Sequence, residues 1–331
     1  PVVVSSAELE ERLAPVYDRL NLQPGQLEAW TGISERRWWQ PGFQLSAGAI
    51  AAGRKALRKA ALDPAELGVL IYAGVCRENF EPATACAVAE GLGVRGSAFV
   101  YDLSNACLGV LNGMIEVANR IELGQIRAGL VVSCETAREI NELALERLLR
   151  GADMDQFSRA IATFTGGSGA VAVLLTDGSF PGTLGHRLLG AVSETAPEHH
   201  RLCRWGLEPV SGGRQEQFMA TDSVAVLKHG VQLGARTFGS FLQHLGWQTA
   251  ELDRVVCHQV GSGHQEAILK SLQIPKDKDF VTYRFLGNMG TAALPVTAAI
   301  AEERGVLKAG QRTAFLGIGS GLTSLMVGLE W

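Results

Sequence analysis

The sequence predicts an α/β fold built from two related halves, and three observations carry that reading. Glycine is abundant, at 39 of 331 residues, as expected where many short elements meet in tight turns. Short apolar runs alternate with longer amphipathic segments. Several stretches of the first half return, in the same order, in the second. The runs at 69–73, 98–101, 129–133, 170–175, 254–258 and 313–317 read as strands. Segments 47–61, 108–123, 224–245 and 295–303 have helical spacing. The last carries proline in its first turn, where a missing N–H costs nothing. Residues 138–165 read as helical cover inserted before the strand at 170–175.

The repeat is specific in register. "PAELGVLI" at 64–71 matches "TAELDRVV" at 249–256, placing Glu66 on Glu251 at an offset of 185. "AFVYDLSNACLG" at 98–109 matches "DFVTYRFLGNMG" at 279–290, and Phe99 falls on Phe280 at an offset of 181. "GQIRAGLVVS" at 124–133 matches "GVLKAGQRTA" at 305–314, again at 181. The halves are therefore expected at about 1–176 and 216–331, packed about a pseudo-twofold axis. The stretch 177–215, with its Gly, Pro and charges, reads as a connecting excursion.

Composition removes several classes of function. Net charge is −4 with no basic block, so nucleic acid is not an expected partner. No apolar run approaches the roughly 18 residues a transmembrane helix needs. The opening "PVVVSSAELEERL" has neither a basic nor a long apolar stretch, and no signal peptide is expected. The six cysteines include no C-x-x-C pair, which favours reduced thiols and a cytoplasmic protein. The seven histidines form no H-E-x-x-H or Cys/His cluster, so no metal is expected.

At offset 181, Cys107 falls on Asn288, and both stand at strand-to-helix turns. Cys107, in "YDLSNACLGVLNGM", is placed at the start of a helix, where unpaired backbone N–H groups favour a thiolate and can hold an oxyanion. The plainer alternative is a small buried hydrophobe, as most cysteines are. His258 ends the strand "DRVVCHQVG", at the strand edge where such sheets place catalytic groups. Asn288 lies in the Gly-bracketed turn "LGNMGTAALP". Singly, each of these two reads as structural; with Cys107 they make a thioester site, a nucleophile with N–H donors for a carbonyl. "GIGSG" at 317–321 lacks room for a following dinucleotide-binding unit, and reads instead as a turn offering backbone N–H groups to a ligand. "TGGSGA" at 165–170 is a second glycine turn. Glu81 follows Phe80 in a loop before a helix near Ala83, and alone reads as a solvated carboxylate. "ERRWW" at 35–39 is either a cationic–aromatic patch for a nucleotide or an edge where Arg stems pack on Trp. The histidines other than His258 default to surface or structural roles.

"SNACLGVLNGM", "CHQVG" and "GNMGTAALP" resemble, in order, the Cys, His and Asn blocks of the thiolase superfamily, in particular its ketoacyl-ACP synthase III branch. The resemblance runs from "TGISERR" at 31–37 to "LGIGSGLTS" at 316–324. It implies a five-layered αβαβα duplication and a homodimer. "ERLAPVYDRL", "FEPATA" and the final Trp331 further resemble the OleA-type enzymes, which condense two acyl-CoA molecules head to head. That resemblance implies an acylated Cys107, with His258 and Asn288 binding the second acyl carbonyl. Glu81 would be the proton-abstracting base, reaching in from the partner subunit. The N–H of Cys107 with that of Ser320, beside Gly319, would form the oxyanion hole. No tightly bound cofactor is implied, coenzyme A entering as part of the substrate. "HQVGSGH" lacks the nearby Arg that docks acyl carrier protein in the synthase III family, which disfavours that partner. Ala29 and Trp30 replace the pair that sandwiches the CoA adenine, so CoA contacts are not carried over. Decarboxylating condensation with a malonyl thioester, and acyl transfer to a small alcohol or amine, stay open.

Overall fold

A computed structural model describes residues 1–181, 185–210 and 212–331. A ribbon of β1 (Val2–Ser5) and antiparallel β2 (Glu35–Trp38) brackets α1 (Ser6–Arg12), α2 (Ala14–Leu20) and α3 (Gln26–Thr31). The first half then runs α4 (Leu45–Lys59), β3 (Val69–Ala73), α5 (Thr84–Leu92), β4 (Phe99–Leu103), α6 (Gly109–Glu122) and β5 (Ala128–Glu135). It ends with α7 (Arg138–Leu149), α8 (Met154–Phe164) and β6 (Gly169–Thr176). Next come β7 (Arg187–Thr195), the hairpin of β8 (Cys203–Pro209) and β9 (Gln215–Thr221), and α9 (Ser223–Leu245). The chain closes with β10 (Arg254–Cys257), α10 (Ser262–Leu272), α11 (Tyr283–Leu286), α12 (Ala293–Glu303), β11 (Arg312–Gly319) and β12 (Thr323–Glu330).

Two four-stranded sheets share one plan. In the first, ordered β4-β3-β5-β6, β3 pairs parallel with β4 and β5, and β5 pairs antiparallel with β6. In the second, ordered β10-β11-β12-β7, β10 pairs parallel with β11, and β11 antiparallel with β12. The counterpart of β4 survives as a single parallel bridge, Val255 to Asp279. Strand alternation then builds the layers. Val69, Ile71 and Ala73 face a central core with α6, α12, Val256, Phe315 and Val327. Leu70 and Tyr72 face the opposite way, onto α4 and α5. Val255, Cys257, Ala314 and Leu316 likewise face α9 and α10. The result is the five-layered αβαβα duplication of the thiolase fold. Its pseudo-symmetry is visible in one bond: Val110 N–H donates to Thr291 Oγ1 at 2.7 Å, between positions 181 apart.

The expected connecting excursion at 177–215 needs correction. Residues 187–195 form β7, which pairs along β12 at the edge of the second sheet, and the boundary at 216 runs through the β8–β9 hairpin. Sequence reading missed β7 because it is an edge strand: its residues are half-buried or exposed, and its short apolar stretch 188–192 is interrupted by Gly190 and followed by polar residues. "ERRWW" resolves as a packing edge. Arg36 is fully buried, donating to Val4 O and Ser6 Oγ, and the Arg138 guanidinium lies 5.5 Å from the Trp38 ring centre.

Candidate active site

A cavity of about 850 Å³ lies between the halves, at the ends of β10 and β11 and beside the turn after β4. Cys107, His258, Asn288, Gly319 and Ser320 all line it, so five of the six sequence-predicted site residues converge. Cys107 is held by a tight turn. Ala106 adopts a left-handed backbone at φ +44°, a conformation costing on the order of 1 kcal/mol for a residue with a Cβ. Asn105 and Cys107 bridge across it, and Leu108 N–H donates to Asn105 O at 2.8 Å.

His258 continues the parallel ladder one residue beyond β10, its N–H donating to Leu316 O at 3.0 Å. Gln259 locks the following turn. Its Nε2 donates to Cys257 O at 2.7 Å, and its Oε1 accepts from Thr282 N at 2.8 Å and Tyr283 N at 3.1 Å. Asn288 is pinned through its backbone to the "TGGSGA" turn: its N–H donates to Thr165 O and its carbonyl accepts from Gly167 N, both at 2.8 Å. Its Oδ1 accepts from Gly290 N at 3.1 Å. That leaves Nδ2 to donate to a substrate carbonyl. A Cβ built on Gly319 would lie 3.5 Å from the Cys107 nitrogen. Glycine there keeps open the space in which an oxygen could accept from that N–H.

The electrostatics run against the thiolate expectation: burial first, then Cys203 and Glu135, push the Cys107 thiol up to about 12. Helix α6 begins at Gly109, two residues later, and its Val110 N–H is already bound to Thr291 Oγ1. The helix start therefore has little left to offer a thiolate, and desolvation prevails. His258 moves the other way, down to about 4, through burial and then the neighbouring His264. Both groups line one cavity, and a neutral imidazole can take a thiol's proton as sulfur attacks, although the two shifts oppose that transfer. Among the described residues no partner satisfies His258 Nδ1.

Glu81 stands apart. It is exposed beside Phe80, itself 99% exposed, and is not among the described residues lining its own chain's cavity. Three features of the cavity escaped sequence reading. His264, assigned above to a surface or structural role, lines it, with burial pushing its imidazole down to about 4. The β8–β9 hairpin supplies a wall through Cys203, Trp205, Phe218 and Met219. Glu135 is the only carboxylate among the described lining residues. Its signal was present in the sequence: a charged residue ending an apolar strand, the rule that picked out His258.

A five-layered duplication whose equivalent turns bring a cysteine and an asparagine to one cavity, with a histidine at a strand end, defines a condensing enzyme of the thiolase superfamily, an acyltransferase. Residues 242–331 match the family model of 3-oxoacyl-[acyl-carrier-protein] synthase III, C-terminal. The chain belongs to the acyl-CoA:acyl-CoA alkyltransferase (OleA) family within that superfamily. It is 54% identical to the acyl-CoA:acyl-CoA alkyltransferase of Shewanella oneidensis, covering 100% of this chain and 95% of the relative. It is 37% identical to that of Xanthomonas campestris, with the same coverage of each. A β-ketoacyl-[acyl-carrier-protein] synthase III from Roseiflexus castenholzii is more distant, at 30% over 99% of this chain and 94% of the relative. A crystal structure of a Cys-to-Ala variant of Xanthomonas campestris OleA superposes with a TM-score of 0.93 at 37% identity, covering 100% of this chain and 94% of that one. A Cys-to-Ser variant solved with bound lauric acid and lauroyl-CoA gives 0.92 at 37% identity, covering 100% and 96%. Among the described residues no helix is long and apolar enough to cross a membrane.

Proposed function

We propose that this enzyme joins two fatty acyl-CoA molecules head to head. The observation that carries the reading is the convergence of Cys107, His258 and Asn288 on one cavity with extensive apolar lining. Cys107 attacks the first thioester as its proton passes to His258; CoA leaves as the thiol, and acyl-Cys107 forms. Glu81 removes an α-proton from the second acyl-CoA, whose carbonyl oxygen is held by His258 and Asn288 Nδ2. The enolate carbon attacks the acyl-Cys carbonyl, in an oxyanion hole built from the N–H groups of Cys107 and Ser320 beside Gly319, and the Cys107 sulfur departs. Water then cleaves the β-ketoacyl thioester to a β-keto acid and CoA.

Glu81 acts in the partner subunit's cavity within a homodimer. The exposed Phe80 beside it supports this, since an apolar ring standing fully in water suits a face covered by another subunit. The halves work as units, one of about 1–176 bringing the nucleophile and the other, which includes β7 from 187 onward, the carbonyl-binding pair. The enzyme works in the cytoplasm without acyl carrier protein, and its six unpaired cysteines suit a reducing compartment.

The test is mass spectrometry of products from purified enzyme given a long-chain acyl-CoA and no malonyl donor. A β-keto acid, or the ketone left after it loses CO₂, is expected. Product that forms only once a malonyl thioester is added would replace this reading with a decarboxylating one.

A further inference from the structure

Glu135 closes β5 and is buried, 3% exposed, beside Cys107 in the cavity. A carboxylate in such a place is costly unless its oxygens are satisfied. Its Oε1 accepts from Val75 N at 2.9 Å and its Oε2 from Cys76 N at 3.1 Å, both in the loop after β3. The Thr291 backbone, from the turn that carries Asn288, lies close enough to favour its ionised form. Gly290 lies flat against it: a Cβ built there would stand 3.3 Å from Glu135 Cδ and 3.4 Å from Oε1. Gly290 holds a left-handed φ of +55°, and its N–H is the donor to Asn288 Oδ1. The next residue, Thr291, accepts the N–H of Val110 from the helix behind Cys107. One carboxylate thus meets the 75–76 loop of the first half and the 288–291 turn of the second, and that turn in turn grips α6.

We propose that Glu135 is a positioning residue for condensation: held by the Val75 and Cys76 amides and packed against Gly290, it fixes the 288–291 turn, and so orients the Asn288 amide on the substrate carbonyl opposite Cys107. The inference rests on the condensing function proposed above. Glu135 does not act as the base, because its oxygens are engaged by backbone amides. Burial raises its carboxyl above the ordinary range, with those same amides opposing the shift. The sequence placed no role on it.

The test is a double-mutant cycle of Glu135→Gln with Asn288→Ala in the full-length enzyme. Glutamine keeps the size of the side chain but turns one accepting oxygen into a donor facing a backbone N–H. Acyl-Cys107 formation and condensation are read separately, by intact-protein mass spectrometry and by product yield. With Glu135→Gln alone, acyl-Cys107 should still form while condensation falls roughly 100-fold, the scale expected when a reacting group is misplaced. In the Asn288→Ala background the same change should alter residual condensation by less than about twofold, because Glu135 would act through Asn288. Equal losses in both backgrounds, or no loss in the first, would overturn the assignment. If Glu135→Gln does not fold, Gly290→Ala presses on the same contact from the other side, and the cycle is read identically. Wild-type enzyme that is acylated but never condenses would remove the proposed function; wild-type condensation with an additive cycle would remove only this inference.

Discussion

At the scale of single residues, burial favours the neutral form of the cavity's two histidines. His258 and His264 are both displaced by burial to about 4 from an ordinary 6.5. Between those values an unfolded chain binds protons on these histidines that the folded chain refuses, so their contribution to stability rises with pH and is lost on acidification. We therefore expect His264→Gln to lose less stability than wild type between pH 7 and pH 5, measured by urea denaturation at the two values. An unchanged sensitivity would mean that His264 takes up its proton as readily in the fold as in the unfolded chain. The convergence of Cys107, His258 and Asn288 on one cavity was legible in the sequence because they close strands or turns flanked by recognisable apolar and glycine patterns. The state of Cys107 was not. Whether a helix start lowers a thiol depends on which residue begins the helix and what already occupies its N–H groups, and Thr291 lies 181 positions from the Val110 it binds.

At the scale of elements, strands buried on both faces were easy to find, since parallel strands between helical layers read as continuous apolar runs. β3 is buried at every residue, and its boundaries agree with the sequence expectation. β7 and the β8–β9 hairpin were hidden by their exposure, and with them went one wall of the cavity. The outer helices hold the sheets through few large anchors. Phe241 on α9 is fully buried against the second sheet and meets Trp247 edge-on at 6.0 Å. Phe241→Ala should destabilise the protein by about 3–5 kcal/mol, the range for emptying a well-packed aromatic site. Denaturant midpoints at constant m-value would check this. A change below about 1 kcal/mol would mean that α9 collapses into the gap.

At the scale of the whole molecule, the duplication explains why the site is divided, with Cys107, the proposed nucleophile, on one half and His258 and Asn288, the proposed carbonyl-binding pair, on the other. If Glu81 comes from the partner, a complete site spans three contributions from two chains. Mixing Cys107→Ala subunits with Glu81→Gln subunits should then restore activity that neither has alone. Random exchange would give about a quarter of the wild-type value, one competent site in each mixed dimer. Mixtures no more active than their parents, under conditions where subunits exchange, would place Glu81 in its own chain's chemistry or outside it. The β8–β9 hairpin carries a different consequence. Among the described residues its strands pair only with each other, yet Trp205, Leu207, Phe218 and Met219 line the cavity proposed to receive the substrate. Mutations there can reshape what is accepted without shifting the register of either load-carrying sheet or disturbing the nucleophile. Selection therefore has a part of this enzyme it can rewrite freely, and related enzymes should diverge in diet along this ribbon while keeping their chemistry intact.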